Sequence, residues 1–191
     1  MATAAIYGLL ASSSFVVGVV LGLATKPPRR LLAVIIAFGA GVLVSALTFD
    51  LMGEAFERET GAYAIGLSLH AEGRSIGIVL LAAVFLANVP ESLGSTRAMR
   101  EEGRSRGYII GVWTGVGVAC VLATMAGYAL LAGLSQGWIS AILALAAGGI
   151  LALLADTMFP EAFEHGGRWV ALATAVGFAC AFLLSELTGS A

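Results

Sequence analysis

The polar side chains best able to do chemistry in this 191-residue sequence sit where such groups are costly, inside long apolar runs or at their ends. Asn88 and Glu91 interrupt an apolar stretch and flank Pro90. Spaced three apart, they share one helix face. Pro90 has no N–H to donate, so the carbonyl of Leu86 one turn back is freed. An amide, a carboxylate and an unpaired backbone oxygen therefore converge on one spot, and polar groups at that depth in hydrocarbon point to function. A kink with a hydrogen-bonded polar pair is the plainer alternative.

Further acids occur as pairs. Asp50 and Glu54 are four apart, Glu54 and Glu57 three apart, and Glu161 and Glu164 three apart, so each pair lies on one face. Asp156 precedes the last pair, and His165 follows Glu164 directly and Glu161 by four. Carboxylates held together repel unless a proton or cation intervenes. Oxygen-rich groups with an occasional imidazole suit a divalent cation. For 161–165 a solvated helix end at the headgroups is the alternative. His70, Glu186, Glu101 and Glu102 read as exposed or solvated groups.

Catalysis finds little support. The chain has no His-Glu-x-x-His pair and no phosphate-cradling loop. Glu161-Ala-Phe-Glu-His165 approaches an inverted zinc-protease pattern, but glutamate stands at its first ligand position. The expectation is no enzyme and no prosthetic group. No basic patch with interleaved aromatics is present, which argues against nucleic acid. Cys120 and Cys180 both lie in apolar runs and read as buried thiols.

The elements that must position these groups are membrane helices. Apolar residues make up 59% of the chain and charged residues 12%, whereas soluble domains carry about 25% charged residues. Mean hydropathy is +0.96. Six stretches reach spanning length, about 4–25, 31–52, 75–96, 107–132, 138–160 and 169–187. The expected fold is an all-α polytopic transmembrane bundle in one domain, with 4–25 a retained first span. Small residues four apart, at Gly18/Gly22, Ala37/Gly41/Ser45, Gly111/Gly115 and Ala144/Gly148/Ala152, would let backbones approach closely. Such faces also leave room for a homodimer. Eight of the ten basic residues (Lys26, Arg29, Arg30, Arg97, Arg100, Arg104, Arg106 and Arg168) fall on one side of a six-span chain. The positive-inside rule makes that side cytoplasmic, with both termini outside, in a bacterial inner membrane. Residues 61–70 are apolar but about half of spanning length.

A repeat is also present. Shifted by 107 residues, 37–57 lies over 144–164, both ending in Glu-Ala-Phe-Glu. In the six-span topology these helices run in opposite directions, as in inverted-repeat secondary transporters.

Asn88-Val89-Pro90-Glu91-Ser92 resembles the His-Asn-x-Pro-Glu-Gly signature of the ZIP family of zinc and divalent-metal transporters. The following Leu-Gly-Ser-Thr-Arg-Ala-Met-Arg and the Gly-rich helix from 107 are similar to that family's sequence after its fifth helix. The stretches 37–57 and 144–164 resemble its second and seventh helices. The resemblance implies a 3+2+3 arrangement of eight helices, with the six spans here as the first, second, fifth, sixth, seventh and eighth. It makes Asn88 and Glu91 metal ligands. This sequence departs from the family at three places. Ala87 stands where the family has histidine, the region of Val121 lacks a glutamate common in the sixth helix, and the third helix and start of the fourth are absent. The absence is either a natural shortening or residues missing between about 58 and 62, with 61–70 the remainder of the fourth helix.

The resulting expectation is transport of a divalent cation, zinc first, through the bilayer towards the cytoplasm. Glu91 would bind the ion as a carboxylate and Asn88 through its amide oxygen. Asp50 and Glu54 would lie on the outer route, and Asp156, Glu161, Glu164 and His165 on the inner one. The scarcity of histidine would widen selectivity towards Mn²⁺, Fe²⁺ or Cd²⁺. The alternatives are a non-transporting metal-binding or regulatory membrane protein and, remotely, an intramembrane hydrolase.

Overall fold

The computed structural model describes residues 2–51, 75–131 and 134–187. Among these residues every element is helical. The helices are α1 (Ala2–Ala24), α2 (Arg29–Ser45), α3 (Ser75–Glu101), α4 (Arg106–Leu131), α5 (Gln136–Leu153), α6 (Phe159–Gly166) and α7 (Trp169–Leu187). Two π-helical turns, Ala46–Leu51 and Leu154–Met158, continue α2 and α5. Helices thus occupy all six expected stretches, while Glu54 and the 61–70 segment lie outside the described residues.

Local sequence explains the boundaries. Pro27 and Pro28 separate α1 from α2, with Pro28 extended (φ −54°, ψ 143°) just before the first turn of α2, where a missing N–H costs nothing. Gly103 (φ 79°) turns the chain between α3 and α4, and Gly167 (φ 56°) does so between α6 and α7. Both adopt positive φ, which glycine reaches without a Cβ clash. The longest departure from expectation is α3, which continues past its apolar run to Glu101.

Among the described residues, four helical stretches are long and apolar enough to cross a membrane: Ala5–Ala24, Arg29–Phe49, Arg106–Gly127 and Gln136–Gly166. Trp169–Leu184 is a shorter apolar helix. Their outer faces are as greasy as their inner ones. Leu145 is 78% exposed and Leu122 60%, a pattern that suits a hydrocarbon surround and not water.

The core forms around α2. Leu32, Ile36, Ala37, Ala40 and Leu43 pack with Ala87 and Leu93 of α3, Leu154 and Met158 of the second π turn, Ala162 of α6, and Val170 and Ala173 of α7. Small residues set how closely these helices meet. A Cβ on Gly41 would overlap the carbonyl of Thr174, and one on Gly177 would overlap that of Phe38, so α2 and α7 touch backbone to backbone. Gly18 and Gly22 of α1 lie against Ser92 and Thr96 of α3. The other two stripes behave differently. Gly111, Gly115 and Gly148 have nothing within 4 Å of an added Cβ, because four-residue spacing defines a face without supplying a neighbour for it. The C-terminus of α1 is tied to α3 by Arg100, whose Nη1 donates to the carbonyls of Gly22 (2.6 Å), Thr25 (3.2 Å) and Leu23 (3.3 Å). A cation at that end also complements the helix dipole.

The internal repeat has a structural counterpart. The shift that aligns 37–57 with 144–164 lays Ala46–Leu51 over 153–158, which contains the second π turn. Each π turn also packs against the helix of the other repeat, α5 against the first and α2 against the second.

Candidate functional site

The site begins at Pro90, inside α3. Its ring lies against α2, since a Cβ added to Gly39 would come 2.9 Å from Pro90 Cγ and 3.5 Å from the Cε of Met158. Helices α2 and α3 and the second π turn therefore meet at the one residue of α3 that cannot donate a backbone hydrogen bond. Ser92, fully buried, donates its hydroxyl to the carbonyls of Asn88 (2.7 Å) and Val89 (3.2 Å). Those bonds satisfy a polar side chain in an apolar setting. Asn88 and Glu91 are half-buried, and Ala87 is fully buried.

Glu91, Gly94, Arg97 or Ala98, and Glu101 follow at three- and four-residue spacing along one face of α3. They cover roughly 15 Å at 1.5 Å per residue. The lower part of this stripe opens on a cavity of about 250 Å³ bounded by α2, α3 and α6. Its polar lining is Arg29, Arg97, Glu101, Glu161, Glu164 and His165. Glu161 reaches α3 at Gly94, with Oε1 3.3 Å from where a Cβ would stand. A side chain at 94 would crowd that carboxylate and the Cδ1 of Ile36, 3.1 Å away.

Charges at the mouth of the cavity are paired. Glu101 receives Arg97 Nε at 2.9 Å and Arg29 Nη2 at 3.1 Å. Arg29 Nη1 also lies 3.4 Å from His165 Nε2, which is 3.9 Å from Glu164. The Arg97 hydrogen bond, with the charge of Arg29 adding to it, holds the Glu101 carboxyl below the usual carboxylate range. Arg97 Nη1 is buried and has no hydrogen-bond partner among the described residues.

The structure brings Glu161, Glu164 and His165 of α6 to one cavity and places Asn88 and Glu91 further along α3, which forms another of its walls. It does not gather the whole expected set. Asp156 is exposed on the second π turn, Asp50 lies in the first π turn, and Glu54 falls outside the described residues. Among the described residues, no group of three or more His, Cys, Asp or Glu side chains is arranged to hold a metal ion. The 161–165 acids have guanidinium groups beside them, which the sequence reading left out. Arg97 and Glu101 carry a visible signal, the four-residue spacing of an arginine and a glutamate. Arg29 joins them from 72 residues away and carries none. Both cysteines are free and half-buried.

The chain matches no known family model, and no curated protein matches it either.

Proposed function

We propose that this protein crosses the bilayer six times with both termini outside and carries a divalent cation, zinc first, towards the cytoplasm. The observation that carries this reading is the polar stripe on α3, which runs from half-buried Asn88 and Glu91 at the Pro90 break down to the Glu161 cavity. Glu91 supplies the negative charge and Asn88 a neutral oxygen, a hard-donor pair suited to a cation that must also be released. Glu161 is the next carboxylate along the path. The two π turns at equivalent repeat positions support an inverted-repeat transporter of ZIP-like type, since π turns recur at functional sites.

Arg29 and Arg97 favour a second reading, in which the protein binds metal without conducting it, because two cations line the inner mouth, both paired with Glu101. Zinc uptake into proteoliposomes separates the two. Uptake by the wild type that is lost in Glu91→Ala supports transport. Zinc binding without uptake by the wild type supports the second reading.

A further inference from the structure

Helices α1 and α4 run antiparallel with a legible register. A Cβ on Gly8 would meet Val121, Ser12 Oγ donates to the carbonyl of Gly117 (3.1 Å), and the rings of Phe15 and Trp113 are 5.2 Å apart. Beside these contacts the helices leave an open apolar groove of about 670 Å³, running from Leu9 to Leu23 on α1 and from Ile110 to Leu122 on α4. That volume falls within the range of ligand sites, roughly 300–1,000 Å³. Trp113 lines the groove, and its indole N–H is buried without an acceptor among the described residues.

Continuing the register sets Leu23 opposite Arg106. Arg106 lies one turn before Ile110, on the groove face of α4, and Lys26 lies three residues beyond Leu23. Both are exposed, and among the described residues neither is in an ion pair. Neighbouring charges are engaged elsewhere. Arg100 binds the carbonyls of α1, Arg104 pairs with Glu102 at 3.7 Å and stacks on Tyr108, and Glu101 is held by Arg29 and Arg97.

We infer that this groove binds an anionic diacyl phospholipid, with an acyl chain along α1 and α4 and its phosphate held by Lys26 and Arg106 at the mouth. Charge complementarity names the occupant: an apolar slot ends at two cations with no ion-pair partner among the described residues, and an acyl phosphodiester is the membrane molecule that is apolar along its length and anionic at its tip. The inference rests on membrane placement and is independent of metal transport.

The test uses the full chain in neutral detergent and counts bound lipid by native mass spectrometry, comparing phosphatidylglycerol with phosphatidylcholine of the same acyl composition. The wild type is expected to retain phosphatidylglycerol preferentially. Lys26→Gln and Arg106→Gln should each weaken that binding about fivefold, equivalent to about 1 kcal/mol per basic residue, and leave phosphatidylcholine unchanged. Gly117→Phe should weaken both lipids by filling the slot. Should that variant fail to fold, the two surface variants still decide the matter. Equal retention of both lipids, or a phosphatidylglycerol preference that survives the double variant, would overturn the inference. So would full competition by glycerol phosphate lacking acyl chains.

Discussion

Arg29 and Glu101 meet at 3.1 Å across 72 residues of sequence, the first from the start of α2 and the second from the last turn of α3. Their contact closes the rim of the Glu161 cavity, with Arg97 completing the pairing from within α3. Glu101→Gln is expected to loosen this rim and lower the melting temperature at neutral pH. The sign of the pH effect follows from its depressed carboxyl pKa. Its contribution is present above the unfolded-state value and is lost as pH falls through the lower folded value. Wild type and variant should therefore converge in acid, and a gap that stays constant down to low pH would contradict the pairing.

Glu161 and Asp156 were equivalent candidates by sequence, but only Glu161 faces the cavity. Glu161→Gln should reduce zinc uptake more than Asp156→Asn in the same proteoliposomes. Equal losses would place the inner route elsewhere.

Close approach of α2 and α7 makes Gly41 intolerant of any side chain. Gly41→Ala should destabilise by about 1–3 kcal/mol, the usual cost of overpacking. Gly148→Ala, in open space, should fall within about 0.5 kcal/mol of wild type. Thermal unfolding in detergent, run side by side, checks the contrast.

Asn88 offers a sharper probe of donor chemistry than removal. Asn88→Asp keeps the shape and adds a charge beside Glu91, so it should tighten zinc binding and slow release. A titration showing weaker binding would mean that residue 88 does not touch the ion.

Hydropathy located the helices because the bilayer needs long apolar runs, and Pro90 was readable as a missing backbone donor because that is a property of the residue, although the helix runs on through it. The end of α3 was not readable that way. Beyond Ala98 the helix is held by the Arg97–Glu101 pair and by Arg100 reaching α1, and hydropathy is blind to both. Spacing identified the stripe at Gly18/Gly22, which is covered, as readily as the one at Gly111/Gly115, which is open. Coverage depends on a partner helix that spacing does not contain. The π turns left no trace in composition, since they differ from their surroundings only in which carbonyl each N–H reaches. The repeat relates the two positions to each other without announcing either turn.

Arg100 also bears on the order in which the molecule is made. The carbonyls that end α1 accept from a guanidinium 78 residues further along the chain. Until that segment has been made, those oxygens lack the partner that Arg100 supplies. The last turn of α1 therefore takes its cap from a helix made well after it, and its end is complete only once α3 is in place.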